Sequence, residues 1–356
     1  LILTSFVLGM GLGTFISGPL SDAFGRRRII FIGAGLYIVS AAVAWASSTL
    51  EVMLVARLFQ GLGASGPRIV AVAVVRDLYA GREMARIVSI VMLIFTLVPA
   101  FAPAMGAVII AGVGWRGIFV AFMCFSIVSM LWMGARLPET LSLERRRPFR
   151  AGALFEATKE LFQHRSVRIS IACQSMMFGL LFGMLSSVHA IYDVTFGRAE
   201  SFPYWFGLIS LMAGSASLLN AHLVVRLGMR KLVTVSFAAQ IVFSCVMLAL
   251  SLWPPADHIY FPLFIAWQTS VFFLAGMTIG NLTALAMEPV GHIAGLAASI
   301  LGGLATIIGT FIAAPVGLMF SGTPAPLAAA SIVMCVAATG FMMWLRTYEK
   351  RNPVAA

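Results

Sequence analysis

Charge is what this chain has least of. Only 10% of its 356 residues are Asp, Glu, Lys or Arg, against 60% that are apolar, and the mean hydropathy is +0.98. A water-soluble domain carries about 25% charged residues, so composition excludes an ordinary soluble fold. Cysteine is scarce too. The four, Cys124, Cys173, Cys245 and Cys335, stand singly in separate apolar stretches, which excludes a disulfide framework or a thiolate metal site. The five histidines never pair on one helical face, and the thirteen acids avoid the interiors of the apolar runs, with Asp193 and Glu288 coming nearest. Clustered His, Cys or paired carboxylates of the kind a membrane-embedded enzyme needs are missing, so no cofactor or metal is expected. Apolar/polar alternation in segments of about ten residues, the mark of a transmembrane barrel, is also lacking.

What is present is a series of long apolar runs: 1–20, 29–47, 52–75, 86–111, 115–135, 168–192, 204–225, 231–253, 260–287, 293–320 and 325–345. Each is long enough to cross a hydrocarbon layer of about 30 Å as a helix, and helices are the remaining way to satisfy a backbone in lipid. The expected fold is an all-α polytopic membrane protein with eleven spans. The net charge of +11 follows from topology. With connections alternating sides, Arg57 and Arg68 fall inside runs, Arg116 and Arg198 fall on one side, and the other twenty Lys and Arg share the side of residues 21–28. That side reads as cytoplasmic, which puts the central loop and the carboxyl end inside and removes the case for nucleic acid.

The longest polar stretch, 136–167, separates five runs from six. Within it Leu154, Phe155, Leu161 and Phe162 have helical spacing among charges, predicting a short amphipathic helix on the membrane surface. A weak internal repeat relates 19–30 to 222–233: Leu20 falls on Leu223, Gly25 on Gly228, Arg27 on Arg230 and Arg28 on Lys231. The same offset lays runs eight to eleven over runs two to five and leaves the sixth without a counterpart. The expected organisation is two pseudo-symmetric six-helix bundles, with the first helix of the first bundle outside these residues. The first bundle spans 1–135, a cytoplasmic linker 136–167, and the second bundle 168–356. Paired halves of this kind belong to secondary transporters, which place substrate between them near the midplane.

Several residues carry candidate chemistry. In "GPLSDAFGRRR", residues 18–28, Asp22 can accept from free amides at a helix N-terminus and pair with an arginine, while Gly25 permits a tight turn. "GLGASG", 61–66, matches a dinucleotide fingerprint, but it lies inside an apolar run rather than after a strand, so close helix packing is the expectation, as for Gly9, Gly13 and Ser17. Arg57 and Arg68, eleven residues apart, share a helix face with Gln60 and Ala64 and are expected to line a cavity; the competing reading is that each snorkels to an interface. Pro99 and Pro103 remove helix hydrogen bonds and mark a bend or a gate. Gln174, Ser175 and Phe178, with Trp267, Gln268 and Asn281, offer amides and aromatics for a roomy pocket, or for packing.

"GPLSDAFGRRR" resembles the loop signature of the major facilitator superfamily, with Gly18, Leu20, Asp22, Gly25, Arg26 and Arg28 at family positions. "RLFQGLGASG" at 57–66 resembles its fourth-helix signature, and "LVPAFAPAMGA" at 97–107 the fifth-helix signature of proton-coupled exporters, through Pro99, Pro103 and Gly106. In the latter, Ala102 and Ala107 stand where glycines are usual. With "RDLYAGREMAR" (76–86), "WRGIF" (115–119), "LPETL" (137–141) and "MEPVGHIAGLAAS" (287–299), the likeness extends to the Bcr/CflA branch of multidrug efflux proteins. The resemblance implies a monomeric exporter of drug-like small molecules in a bacterial inner membrane, driven by the proton gradient, with proton-coupled uptake of a polar or anionic solute as the alternative. It implies a conformational latch at Gly18, Asp22, Gly25, Arg26 and Arg28 and a gating helix at Pro99, Pro103 and Gly106; the candidate substrate and proton pathway, read from side-chain chemistry, is Arg57, Gln60, Arg68, Gln174, Trp267 and Gln268. The coupling acid is expected on the absent first helix.

Overall fold

The computed structural model describes residues 1–79, 81–146 and 151–351. Twelve α-helices follow one another: α1 (Ile2–Phe24), α2 (Arg26–Ala46), α3 (Leu50–Leu78), α4 (Gly81–Val113), α5 (Arg116–Arg136), α6 (Ala151–Gln163), α7 (Arg165–Ala190), α8 (Phe202–Leu227), α9 (Met229–Leu252), α10 (Asp257–Met287), α11 (Ala294–Leu318) and α12 (Ala325–Arg351). There is no strand among the described residues. Eleven helices coincide with the apolar runs, and α6 is the helix expected in the linker. Ten are long and apolar enough to cross a membrane, and α4 contributes a shorter described apolar stretch, Val98–Val113. The protein is a multi-pass membrane protein. Ends differ where polar turns extend a span: α4 starts at Gly81 and α12 runs to Arg351, because helical hydrogen bonds continue past the apolar core where water is available.

Packing groups residues 1–98, 104–159 and 293–307 as one unit and 99–103, 160–292 and 308–356 as another. In the first, α3 packs against α1 and α2. Glycine makes this approach possible. A Cβ on Gly61 would fall on the Phe6 carbonyl oxygen, one on Gly9 on the Leu58 carbonyl oxygen, and one on Gly63 within 2.6 Å of the Gly33 carbonyl oxygen. "GLGASG" is thus a helix-packing surface inside an unbroken 29-residue helix. In the second unit α10 packs on α7, α8 and α9, and α12 packs on α7 and α9, around a core that includes Met177, Met184, Tyr192, Phe237 and Phe264.

The internal repeat is physical. Gly25 joins α1 to α2 at φ 100° and ψ 149°, and Gly228 joins α8 to α9 at φ 75° and ψ 154°. Both conformations are essentially open to glycine alone. The same shift of 203 residues compares α12 with α5. In α12, Leu327, Ser331, Met334 and Ala338 are buried, with α7 packed on this helix: Cys173 Sγ approaches the Ala338 carbonyl at 3.6 Å, and Gly179 leaves room for Met334. Their counterparts on α5, Cys124, Val128, Leu131 and Ala135, are exposed.

Candidate functional site

Two polar assemblies in the first unit and two in the second hold the candidate residues. The first surrounds the α1–α2 turn. Arg26, only 4% exposed, places Nη1 2.6 Å from Asp22 Oδ1 and donates to Ser21 Oγ at 2.6 Å, while its Nε donates to Asp77 Oδ2 at 3.1 Å. The Asp22 pairing is the one expected. The cap on α2 is not, because the free amides of Arg26 and Arg27 donate to Glu139 at 2.9 and 3.2 Å rather than to Asp22. The reason is directional. Asp22 lies in the last turn of α1, and the Gly25 turn folds Arg26 back onto it, whereas the segment after α5 brings Glu139 to the start of α2. Leu141 N also donates to Glu139 at 3.0 Å, and Thr140 Oγ1 donates to Asp77 at 3.4 Å. Arg27 reaches the Gly134 carbonyl at 2.8 Å, while Arg28 is exposed. A Cβ at Gly25 would meet Glu139 Oε2 at 2.5 Å and Arg146 Nη2 at 2.9 Å, and one at Gly18 would meet Ser299 Oγ at 2.9 Å. Glu139→Ala is expected to lower stability by about 0.5 kcal/mol, the low end of the capping range because the residue is exposed. Thermal unfolding in detergent checks this.

The second assembly lies two turns inside α3. Arg57 Nη1 donates to Gln60 Oε1 at 2.7 Å, and the guanidinium sits 4.4 Å from the centre of the Phe6 ring. Gln60 is fully buried. Its Nε2 and Arg57 Nε are buried without a hydrogen-bond partner, and among the described residues no carboxylate lies within ion-pair distance of Arg57. Arg57 is turned onto Phe6 of α1. Arg68 is exposed, and its Nη1 lies 3.5 Å from Met10 Sδ. Phe6 and Met10 are one turn apart on α1, so the two arginines do share a bearing. Beside this, Leu36, Val39, Val43, Val52, Val55 and Phe59 line a groove of about 470 Å³ between α2 and α3. It is apolar except for Ser40 and Glu51, and it offers a polar solute little to bind.

In the second unit the amide candidates and Trp267 are buried within the helix packing, and Phe178 is half-buried. Gln174 Nε2 donates to Thr283 Oγ1 at 3.0 Å; Trp267 Nε1 donates to Ser244 Oγ at 3.0 Å; Asn281 Nδ2 donates to Asn220 Oδ1 at 2.6 Å. Gln268, fully buried, accepts from the Tyr192 hydroxyl at 3.0 Å while its Nε2 has no partner. Tyr192 belongs to a π-helical turn, Ile191–Thr195, that closes α7. Ser175 bonds back to Ile171 and Phe178 stacks on Phe182. Near the ends of α10 and α12, Arg230 reaches Glu288 at 2.9 Å and Glu349 at 2.7 Å. Sequence reading did not find this pairing. Its signal was available, since Arg230 is the repeat partner of Arg27 and two acids stand at the ends of the following spans.

The helix of Pro99 and Pro103 is continuous from Gly81 to Val113. Each proline leaves the carbonyl four residues earlier without its helical donor. Pro99 is exposed, Pro103 half-buried, and nothing lies within 4 Å of a Cβ built on Gly106.

An all-helical multi-pass chain, with two repeated helix sets, ion clamps at corresponding turns and an arginine held inside a span, has the build of a membrane transporter. Residues 1–314 match the profile of the Major Facilitator Superfamily, and the chain belongs to that family, whose members are transporters and not enzymes. It is 26% identical over 333 residues to the bicyclomycin resistance protein homolog of Haemophilus influenzae, covering 91% of this chain and 81% of that one. It is 25% identical over 325 residues to multidrug resistance protein D of Escherichia coli, covering 86% and 76%. These relatives are consistent with a Bcr/CflA-type multidrug transporter. The crystal structure of a D-xylose–proton symporter shares the fold, with a TM-score of 0.73 at 16% identity over 96% of this chain and 85% of that one.

Proposed function

We propose that the protein exports drug-like small molecules across a bacterial inner membrane in exchange for protons. The proposed bundles, 1–135 and 168–356, joined by the cytoplasmic linker 136–167, expose the substrate path alternately to each side. The protein acts as a monomer, with its carboxyl end inside.

The observation that carries this reading is the Arg57–Gln60 pair. An arginine inside a span costs from about 2.5 to above 10 kcal/mol depending on the reference, so it is retained for a task. Buried beside an amide and an aromatic ring, with an uncommitted Nε, it can lower the pKa of a carboxylate that approaches it and release that proton when substrate or conformation changes. Arg68 extends the polar bearing toward the inner end. Gln174, Trp267 and Gln268 shape the second bundle's side of the path from behind the packed surface. The clamp of Asp22, Arg26 and Gly25, with Gly18 and Arg28, holds one conformation, and the proline segment of α4, with Gly106, supplies the yielding element. Resistance transporters among the relatives support export over uptake.

The test is accumulation. In a pump-deficient host, expression should lower cellular levels of several chemically unrelated drugs, and a protonophore should cancel the difference. Drug levels that rise with expression would make the protein an importer.

A further inference from the structure

α3 has a second working face. Arg57 lies over Phe6 of α1, while two residues on either side, about 200° around the helix, turn Val55 and Phe59 away from it. There they wall the apolar groove of about 470 Å³ shared with α2. Both helices are long and apolar enough to cross a membrane, and Val39 and Val55 on the groove walls are 62% and 55% exposed. The groove therefore opens sideways into lipid.

Two polar groups interrupt its lining. Ser40 lies in the floor at 4% exposure, and its hydroxyl makes no hydrogen bond among the described residues. Glu51 stands at the rim, in the first turn of α3. Thr49 supplies the cap of that helix, and the Glu51 carboxylate forms no ion pair among the described residues. Arg116, at the same end, places Nε and Nη2 on the carbonyls of Trp45 and Ser47 instead. Ser40 is six residues short of the end of α2 and Glu51 one residue inside α3, so the hydroxyl lies about 8 Å deeper than the carboxylate. The fold requires neither group. At the corresponding places of the second unit, 203 residues on, stand Phe243 and Pro254.

A buried hydroxyl without a partner carries a free-energy cost that a bound polar atom would remove, and a carboxylate on an apolar rim favours a cation. The volume lies within the range of sites for drug-sized ligands. We propose that the groove binds a cationic amphiphile taken from the lipid: an apolar ring system against Val43, Val55 and Phe59, a protonated amine on Glu51, and a hydrogen-bonding oxygen on Ser40 about 8 Å deeper. A phospholipid is the poorer fit, because an acyl chain reaching Ser40 brings it no polar atom. The site is separate from the Arg57 path and requires nothing of the export reading.

The test places the full chain in phosphatidylcholine nanodiscs and photolabels it with an azide-bearing quinacrine, a methoxyacridine with a protonated side-chain amine. Mass spectrometry then locates the modified residues. Label should fall on the groove walls of α2 and α3, drop by about threefold or more in Glu51→Gln and in Ser40→Ala, and vanish in Val55→Trp, whose indole fills the groove from an exposed position. Excess unlabelled quinacrine should protect, and an uncharged acridine should protect less. Label spread evenly over the exposed apolar faces, or undiminished in any of the three variants, overturns the proposal. Protection by added phosphatidylethanolamine equal to that by quinacrine makes the occupant a lipid and also overturns it. Drug accumulation in cells is a separate readout, so this site and the export reading fail separately.

Discussion

Replacing Gly61 by alanine is expected to strip most folded protein from the membrane, whereas the same change at Gly35 leaves yield unaltered or slightly raised. At Gly61 a Cβ would fall on the Phe6 carbonyl oxygen and 2.8 Å from Met10 N, and Gly9 stands in the same relation to Leu58. The opposing atoms are backbone, so no rotamer change relieves the clash. α1 must retreat from α3 by on the order of an ångström, separating Phe6 from Arg57 and unpacking the Ser17–Ser65 hydroxyl pair, now at 2.9 Å. Overpacking a core costs about 1–3 kcal/mol when side chains can adjust, and here they cannot. Gly35 has nothing within 4 Å of its Cβ position, so alanine there gains up to about 1 kcal/mol of helix propensity. Recovery of monodisperse protein from detergent and its unfolding temperature measure both. Equal recovery of the two variants would mean that α1 and α3 do not meet as described.

The second large effect is on transport. Arg57→Ala is expected to reduce drug efflux more than about tenfold, over 1.4 kcal/mol on the rate-limiting barrier, with folded protein still present. The alanine variant leaves Gln60 with neither end of its amide satisfied at a fully buried position, a cost of about 1–3 kcal/mol that the bundle can bear. Arg57→Lys separates charge from shape. Lysine keeps the cation but cannot cover the Phe6 ring and bond Gln60 through a planar fork, so it should restore stability more than efflux. Efflux equal to the parent's in Arg57→Ala, at equal folded protein, removes the arginine from the path.

The spans were legible because an apolar run of about twenty residues has few fates other than a membrane helix. An Asp22–arginine pair was legible because the acid and three arginines flank one tight glycine turn, and Arg57 with Gln60 because i and i+3 face each other on a helix. Glu139 was not, since its amide partners lie more than 110 residues away and local spacing carries no information about such a meeting. Gln174, Trp267 and Gln268 show another limit. A polar residue within an apolar run looks the same in sequence whether it meets a cavity or a neighbouring hydroxyl, and here Thr283, Ser244 and Tyr192 supply partners. The repeat was faint in letters, yet Gly25 and Gly228 share a conformation that demands glycine.

Proton exchange for drug is read most directly in everted membrane vesicles energised to an acid interior, with a pH-sensitive dye. Adding drug to vesicles that contain the parent protein should discharge the proton gradient, and Arg57→Ala vesicles should show no response. A gradient untouched by drug in parent vesicles, or discharged equally in the variant, would contradict the account.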